Sequence, residues 1–324
     1  MLSVIIVTYN SRGTIGGCLD SLSRSASIAK CEIEIICIDN ASTDSTADVI
    51  AGTYPSIRLI RNAMNSGFAA GVNTAAKEAH ANTFLFLNPD TIVADNLISE
   101  LESGLRRNGI GAIFGCRLVN ADGSPQSSCY RLPTLWTLFL ESVLPYGWSL
   151  KLVTNSPHRN PRTHPPAPSL KKEGEQEGSG NGIEVEIVTG AAMAIRRDMF
   201  DRLNGFNEDF FLYYEDFDLC TRARTRGYNV FYLSDAVVTH NSGASAWQDR
   251  KMFFRHLYSS RELYFKKHSS PGGFIVARIL IRLGITLRVF AYSIIGTLTA
   301  NKNLMQLAGE HWWVVVNGLE AKRK

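Results

Sequence analysis

The first 114 residues alternate between short apolar runs and stretches that suit helices. Five runs rich in Ile, Val, Leu and Phe have the length of β-strands, at residues 2–7, 33–38, 57–60, 83–87 and 110–114. Helix-compatible segments separate them, at about residues 12–26, 43–52, 68–80 and 95–107. Strands that are apolar on both faces and alternate with helices predict a mostly parallel sheet covered on both sides. The expected fold class is therefore α/β, with ligands beyond the carboxyl ends of the strands.

Polar residues follow the strands at the places where such a sheet binds ligands. Four clusters stand at four successive strand ends, namely Thr8-Tyr9-Asn10, Asp39-Asn40-Ala41-Ser42-Thr43-Asp44, Asn65-Ser66-Gly67-Phe68 and Asn88-Pro89-Asp90. Each cluster alone has an ordinary explanation, because these are common turn residues and Asp39 suits a helix N-cap or an Asx-turn. Their recurrence along one edge of the sheet favours a binding site.

The first turn argues against two common classes of nucleotide site. Between Thr8 and Gly17 there is neither a G-x-G-x-x-G motif nor the lysine of a P-loop. A diphosphate at this edge needs another counter-charge, and a divalent cation with Asp90 as a hard oxygen ligand would supply it. The alternative for Asp90 is a cap of the turn that follows Pro89.

The second half of the chain carries acidic residues directly behind an aromatic run. Glu215, Asp216 and Asp218 follow residues 210–214, which are all aromatic or leucine. Acidic residues in the first turn of a helix are stabilised by its dipole, which explains them without catalysis. The apolar residues upstream would however desolvate a carboxylate and raise its pKa, as a general base requires. Adjacent helical positions point about 100° apart, so Glu215 and Asp216 are not expected to face the same sugar.

Two further segments complete the expected site. A short apolar strand at 185–189 is expected to complete the sheet, and Gly190 after it permits close approach of an acceptor to the backbone. His240 ends another apolar run, at 236–239. A lone histidine is more often a packed or surface residue than a ligand, but its place at a strand end favours a role in the site.

Together with Thr189-Gly190-Ala191 and Tyr214-Glu215-Asp216-Phe217-Asp218, the four strand-end clusters resemble those of the family 2 glycosyltransferases of GT-A fold. The rhamnosyltransferase-like subgroup is the most similar, and the resemblance covers roughly residues 1–270. It implies a Rossmann-like sheet and an inverting, metal-dependent transfer of a sugar from a nucleotide-diphosphate sugar. The implied acceptor is a glycan or a lipid-linked molecule of cell-surface polysaccharide synthesis, and rhamnose is the candidate sugar.

The resemblance also implies roles for individual residues. The nucleotide-sugar site comprises Thr8, Tyr9, Asn10, Asp39, Asn65, Gly67, Phe68 and Asn88, and the acceptor site comprises Thr189, Gly190 and Ala191. Asp90 corresponds to the last Asp of the metal-binding D-x-D motif, whose first Asp is replaced here by Asn88. His240 is implied to complete the shell of Mg²⁺ or Mn²⁺ or to bind the diphosphate. The implied catalytic base is Asp216, with Glu215 as the competing choice.

A basic segment follows the residues that carry the resemblance. From Arg250 onward 13 Lys/Arg stand against 3 Asp/Glu, although the whole chain has a formal charge of only +4. Residues 274–298 contain 17 apolar residues and three arginines, which share one polar arc of a helical wheel with Thr286 and Ser293. This pattern predicts an amphipathic helix that lies in an anionic membrane surface rather than one that spans the bilayer.

The expected organisation is a glycosyltransferase domain over 1–270 and a basic helical tail over 271–324. Residues 154–184 are rich in Pro and Gly, with almost no large apolar residues, and are expected to form a flexible insertion. The six cysteines are scattered without a C-x-x-C pair, and the first residues lack a signal-peptide pattern, which together predict a cytoplasmic protein. The basic tail predicts that it is peripheral on the inner face of the cell membrane.

The expected partners are the nucleotide-sugar donor, the acceptor and the anionic membrane surface, and no nucleic acid. The main alternative is a catalytically silent protein of the same fold that binds a nucleotide sugar or a glycolipid. Asp39, Asp90 and Asp216 are present and argue against it, whereas Asn88 and the insertion argue mildly for it. A nucleotidyltransferase is disfavoured, because residues 11–14 are a poor version of the basic, Gly-rich first loop expected of such an enzyme.

Overall fold

A computed structural model describes residues 1–107, 111–144, 182–241 and 249–319. Its strands are β1 Leu2–Thr8, β2 Ile33–Asp39, β3 Arg58–Arg61, β4 Thr83–Leu87, β5 Thr91–Val93, β6 Ala112–Val119, β7 Cys129–Tyr130, β8 Ile183–Glu184, β9 Ile187–Val188, β10 Ala192–Arg196 and β11 Asn229–His240. Its helices are α1 Ile15–Ala29, α2 Thr46–Thr53, α3 Phe68–Glu78, α4 Leu97–Arg107, α5 Leu135–Val143, α6 Arg197–Arg202, α7 Glu215–Thr225, α8 Arg250–His268, α9 Pro271–Leu298 and α10 Lys302–Asn317.

One nine-stranded sheet forms the centre of the fold. Its order is β3-β2-β1-β4-β10-β6-β11-β5, and β8 pairs with β11 outside this path. Strands β1 to β4 pair in parallel, as do β6 and β11. Strand β10 lies between β4 and β6 and is antiparallel to both. The mostly parallel α/β sheet predicted from the alternating runs is thus confirmed.

Alternate residues of each central strand enter two hydrophobic cores on opposite faces of the sheet. On β1, Ile5 and Val7 pack in the core with α3, α6 and α7, whereas Val4 and Ile6 pack in the core with α1 and α4. All four side chains are buried. Because both faces of the strand are covered, its sequence is a continuous apolar run rather than an alternating one.

The strand expected at 185–189 takes a different place. Only Ile187–Val188 is a strand, and it pairs with β7 in a separate two-stranded sheet. The reason is visible at Gly115 on β6, where an added Cβ would lie 2.3 Å from the Cβ of Val188. A glycine there allows β9 to cross the face of the main sheet, and Ala192–Arg196 occupies the position within it.

The basic C-terminal segment is packed onto the rest of the protein. Helices α8, α9 and α10 form a third core with α5, and this core includes Phe210 and Tyr214 of the loop that precedes α7. In the described ranges, no helix has both the length and the hydropathy needed to cross a bilayer. The last five residues, 320–324, lie outside the described residues.

The expected flexible insertion falls almost wholly outside the described residues, because the structure resumes at residue 182. Its last part, Ile183–Glu184, forms β8 and pairs antiparallel with β11. The division into a domain over 1–270 and a tail over 271–324 stays a prediction.

Candidate active site

The ends of β1 and β2 hold a buried carboxylate. Thr8 and Asp39 are register partners at the ends of these parallel strands, and the Thr8 Oγ1 donates to Asp39 Oδ1 at 3.0 Å. The Ser42 N–H donates to Asp39 Oδ2 at 2.9 Å, and its hydroxyl to Oδ1 at 2.6 Å. Asp39 therefore makes the turn expected of an Asx residue, and the same bonds fix the orientation of its carboxylate at the ligand-binding edge.

The loops after β1 and β2 are tied together next to this carboxylate. Asn10 has a left-handed backbone, with φ 50°, and its N–H donates to the Ser42 hydroxyl at 2.9 Å. The Asn10 side-chain oxygen accepts from the Thr43 N–H at 2.9 Å. Tyr9, which precedes Asn10 in the chain, is 44% exposed. The first two predicted clusters therefore form one surface, with an aromatic ring free to contact a ligand.

The cluster after β3 makes structural contacts with the loop before α7, and its role in donor binding stays a prediction. Asn65 accepts from the Gly67 N–H at 3.0 Å, and Gly67 has φ +85°. A Cβ on Gly67 would lie 2.4 Å from the Phe211 carbonyl oxygen, which accepts from the Phe68 N–H at 2.9 Å. The Phe68 ring packs edge-on against Phe206, with ring centroids 5.8 Å apart. These residues dock the start of α3 onto the loop before α7.

Asn88, Asp90 and His240 meet at the ends of β4 and β11. The His240 Nε2 lies 3.3 Å from both the Asn88 Nδ2 and the Asp90 Oδ1. The Asn241 N–H also donates to the Asp90 carbonyl at 2.9 Å. The expected metal ligands are thus neighbours, although no group of three or more His, Cys, Asp or Glu side chains suited to a metal occurs within the described ranges.

Gln126, which the sequence did not single out, determines which nitrogen of His240 faces this group. Its side-chain nitrogen donates to Asn120 Oδ1 at 3.0 Å and to the His240 carbonyl at 3.3 Å, so its oxygen points to the His240 Nδ1 at 2.7 Å. Nδ1 must therefore carry the proton, and in the neutral ring the Nε2 lone pair points towards Asp90.

This donor set fits a divalent cation. The His240 Nε2 and the Asp90 Oδ1 are both acceptor atoms in this tautomer, and they lie 3.3 Å apart. A cation bound by both atoms, or a proton on Nε2, would stabilise this contact. One carboxylate, one imidazole and the amide of Asn88 are ligand types that Mn²⁺ accepts, and phosphate oxygens of a ligand would complete the shell.

Asp216 is held beside the acceptor segment. Its Oδ2 accepts from the Gly190 N–H and its Oδ1 from the Phe217 N–H, both at 2.8 Å. A Cβ on Gly190 would lie 3.4 Å from the Asp216 Cβ, which is ordinary van der Waals contact. Burial raises the pKa of Asp216, and the two N–H donors partly oppose this. Asp216 as a residue is half-buried.

Glu215 is in a different environment from its neighbour. It is only 7% exposed, and its Oε2 has no hydrogen-bond partner among the described residues. Burial raises the pKa of Glu215 well above its usual value, and the charge of Asp216 raises it further. The two carboxylates therefore differ in burial and in hydrogen bonding. That they do not face the same sugar stays a prediction.

The two residues directly before α7 have strained backbones, and the first of them feels the charges of both Glu215 and the candidate metal ligand Asp90. Tyr213 and Tyr214 both have left-handed backbones, with φ 67° and 66°. Burial raises the pKa of the Tyr213 hydroxyl, and the charges of Glu215 and Asp90 raise it further. Tyr213 thus lies within electrostatic reach of both groups. Nothing in its sequence context signals this, because the contact depends on the fold.

Asp218, the third acidic residue of the group, has a structural partner set. It accepts from Arg222 at 2.7 Å and lies 2.8 Å from the His268 Nε2. Burial alone would raise its pKa, but the hydrogen bond to His268 and the charge of Arg222 lower it below the usual value. Asp218 therefore anchors α7 to α8 and does not face the site.

A backbone ladder joins the donor and acceptor segments. The Asn88 N–H donates to the Ala191 carbonyl at 3.0 Å, where antiparallel β10 runs alongside β4. The Thr189 N–H donates to the Ser128 carbonyl at 3.1 Å, which holds the other end of the segment. The hydrogen bonds at Asn88 and Gly190 thus link the end of β4, which precedes the candidate metal ligands, to the segment that holds Asp216.

Comparisons with known proteins agree with the motifs. The sequence is 26% identical over 260 residues to the N-acetylglucosaminyl-diphospho-decaprenol L-rhamnosyltransferase of Mycobacterium tuberculosis, covering 77% of this chain and 78% of that protein. It is 24% identical to an O-antigen chain rhamnosyltransferase of Salmonella typhimurium, covering 78% of this chain and 70% of that protein.

The fold has a counterpart among solved structures. A mannosyltransferase from Pyrobaculum calidifontis, in complex with GDP-Man and Mn²⁺, superposes with a TM-score of 0.55 at 17% identity. The match covers 99% of this chain and 88% of that one. It confirms the expected GT-A glycosyltransferase fold.

Family models match both halves of the chain. The model described as Glycosyl transferase family group 2 matches residues 178–317. The model described as Glycosyl transferase family 2 matches residues 3–203, which is more than half of the sequence. The chain therefore belongs to glycosyl transferase family 2.

Proposed function

We propose that this protein is an inverting glycosyltransferase that moves a sugar from a nucleotide-diphosphate sugar to a glycan or lipid-linked acceptor of cell-surface polysaccharide synthesis. The observation that supports the proposal is that Asn88, beside the candidate metal ligands, bonds to Ala191, while the adjacent Gly190 bonds to the candidate base Asp216. The names of the relatives in M. tuberculosis and Salmonella favour rhamnose as the sugar and, for the former, a lipid-linked acceptor.

The donor would bind across the ends of β1, β2 and β4. Asp39, fixed by Thr8 and Ser42, offers a rigid acceptor for a hydroxyl or N–H of the nucleoside, and the exposed Tyr9 ring offers a surface for stacking. Asp90 and His240, with the amide of Asn88, would hold a divalent cation next to the diphosphate. When bound, this cation neutralises negative charge on the leaving nucleotide.

Asp216 has the properties of the catalytic base. Its carboxylate accepts a hydrogen bond from Gly190 in the acceptor segment, and burial raises its pKa towards the range in which a base works. As Asp216 takes the proton of an acceptor hydroxyl, the acceptor oxygen bonds to the anomeric carbon and the bond from that carbon to the diphosphate oxygen breaks. Attack from the face opposite the leaving group inverts the anomeric centre.

A panel of nucleotide-diphosphate sugars, screened by thermal shift with Mn²⁺ or Mg²⁺, tests donor binding. The correct donor raises the Tm because it binds the native state alone. Nucleotide release with and without a lipid-linked acceptor then tests catalysis. Asp216→Asn should keep the thermal shift and lose at least about 10²-fold in kcat, with Glu215→Gln milder. A donor that binds without any nucleotide release would instead establish a catalytically silent binding protein.

We also propose that the protein works on the inner face of the cell membrane, as a peripheral protein. Helices α8 to α10 contain ten Lys/Arg and only two Asp/Glu, which favours an anionic surface. A lipid-linked acceptor, as in the name of the M. tuberculosis relative, would also require the active site to work at a membrane. Sedimentation with membranes after cell lysis tests this location, and a protein found wholly in the supernatant would contradict it.

A further inference from the structure

Helix α9 has two apolar faces, and the protein covers only one of them. Ala277, Ile281 and Ile285 are at most 3% exposed and belong to the C-terminal core. The opposite side of the helix carries large apolar side chains that are 42–61% exposed, namely Ile275, Ile279, Leu283, Phe290 and Ile294. At 100° per residue these five fall within an arc of about 100°. We call this set the apolar face.

Neighbouring helices flank the apolar face on both sides and leave it open. On one flank α5 packs against α9, where the Ser142 hydroxyl donates to the Leu280 carbonyl at 2.9 Å. On the other flank α10 packs against α9, and a groove between them is lined by residues that include Val289 and Trp312. The Trp312 side chain is 56% exposed at this border. Scattered exposed apolar residues are ordinary, but a continuous stripe indicates a contact surface.

The arginines of this helix bond to neighbouring helices, although the side chains of Arg278 and Arg282 are still about half exposed. Arg278 and Arg282 bond to Glu262 of α8 at 3.1 and 2.8 Å. Arg288 donates to the Glu141 carbonyl of α5. The arginines of the expected polar arc therefore help to dock α9, and the surface that remains for a partner is apolar apart from two hydroxyl side chains, Thr286 and Ser293.

A phospholipid surface fits this face better than a second copy of the chain does. The two acidic residues of α8 to α10 are neutralised, Glu262 by two arginines and Glu310 by Arg250 at 3.1 Å. Arg261 and Lys267 have acidic partners outside these helices, and the other lysines and arginines still leave a positive excess, which attracts anionic headgroups and would repel the same surface of another copy. With 28 residues, α9 is about 42 Å long, so lying flat it presents the whole stripe to a bilayer.

Helix α8 connects this face to the candidate active site. Its Ser260 hydroxyl donates to the Leu212 carbonyl at 2.7 Å, and its Arg261 donates to the Tyr214 hydroxyl at 2.7 Å. Both contacts fall in the loop that leads to Glu215. When α9 is bound to the membrane, α8 therefore holds this loop at a defined orientation to the bilayer.

We propose that the apolar face of α9 inserts into one leaflet of an anionic phospholipid bilayer, with the helix axis parallel to the membrane plane and Trp312 at headgroup level. This inference rests on the proposed membrane location. It adds which surface of the protein contacts the membrane and which interaction holds it there. Because apolar side chains enter the lipid, attachment depends on burial of apolar area first and on charge second. Binding should therefore outlast the screening of charge by salt.

Sedimentation with vesicles of phosphatidylcholine and about one third phosphatidylglycerol tests the proposal on the full chain. Phe290→Glu should weaken binding at least about 10-fold, since it removes one inserted ring and adds a repelled charge. Ile28→Glu on α1 is the matched control, because Ile28 is 55% exposed on another part of the protein and should bind as wild type does. The wild type should retain at least half of its binding at about 0.5 M NaCl.

Further measurements show whether the fold is intact, whether the helix inserts and whether the chain dimerises instead. Equal Tm values for Phe290→Glu and wild type show that the exposed substitution leaves the fold intact, and a blue shift of tryptophan fluorescence on vesicle addition reports insertion. Unchanged vesicle binding by Phe290→Glu, or full release of the wild type by salt, would overturn the proposal. A wild-type dimer that Phe290→Glu dissociates, without vesicle binding, would assign the face to self-association. Donor-dependent thermal shifts are measured without lipid, so failure of the transferase assignment is seen separately.

Discussion

Replacing Glu215 by glutamine is expected to stabilise the fold at neutral and alkaline pH. The Glu215 carboxyl is 7% exposed, and its Oε2 has no hydrogen-bond partner in the described part of the chain. Burial raises its pKa well above the usual value, and the neighbouring charges of Asp216 and Asp218 act in the same direction. The folded protein therefore holds this proton more tightly than the unfolded chain does. Its stability must fall as the pH rises from about 4.3, the unfolded pKa, towards the folded pKa.

The size of the effect follows from the desolvation of the charge. A buried polar group without its hydrogen bond costs about 1–3 kcal/mol, and each unit of raised pKa corresponds to about 1.4 kcal/mol. Glutamine keeps the shape of Glu215 and carries no charge, so its desolvation cost is smaller. We expect Glu215→Gln to raise the free energy of unfolding by about 1–3 kcal/mol near pH 8 and to leave it nearly unchanged near pH 4.

Urea denaturation of Glu215→Gln and wild type across this pH range measures the difference directly. Asp218→Asn is the matched comparison of opposite sign, because His268 and Arg222 lower the pKa of Asp218 and the variant removes the carboxylate that the half-buried Arg222 contacts. That variant should lose about 1.5–3 kcal/mol near pH 7, a difference that shrinks as the pH falls through the folded pKa of Asp218. A Glu215→Gln protein less stable than wild type near pH 8, or a gain independent of pH, would refute the reasoning.

Three further changes test the site. Asp90→Asn should abolish the Mn²⁺-dependent part of donor binding in calorimetry and leave metal-free stability near wild type, and unchanged metal dependence would contradict its role as a ligand. Gln126→Leu should weaken Mn²⁺ binding about 10–100-fold, with recovery in Gln126→Glu, because the imidazole loses the acceptor that fixes its tautomer; an unchanged Kd would count against this. Gly67→Ala should lose at least about 1–2 kcal/mol in urea denaturation, since φ is +85° and the new Cβ meets the Phe211 carbonyl. Gly13→Ala, whose Cβ meets no atom within 4 Å, is its control, and equal midpoints for the two would contradict the strain.

Local sequence patterns were sufficient for most of the sheet and for the edge that carries the site. The apolar runs predicted β1 to β4 closely, because strands buried on both faces must be continuously apolar. Their polar ends come together for the same reason, since parallel strands end on one edge. The place of β10 was not predictable in this way. Its pairing with β4 and β6 joins segments far apart in the chain, and no local pattern encodes a partner at that distance.

The residues missed in the site share this non-local character. Gln126 acts on His240 across 114 positions of the sequence, and nothing near it differs from an ordinary turn after a strand. Tyr213 is found only through its left-handed backbone and its nearness to the charges of Glu215 and Asp90. The resemblance assigns Gly67 and Phe68 to the donor site, and this stays a prediction; in the structure their contacts dock α3 onto the loop before α7.

The hydrogen bond from Asn88 to Ala191 has a consequence for how such an enzyme can diversify. The distance between leaving group and nucleophile would be set by main-chain bonds between β4 and β10, which exist whatever side chains surround them. Substitutions that reshape the pocket for another sugar, or the opening for another acceptor, would therefore leave the alignment of the two reacting partners intact. If the proposed site is correct, different parts of the chain would determine specificity and reaction geometry, and selection could alter the first without rebuilding the second.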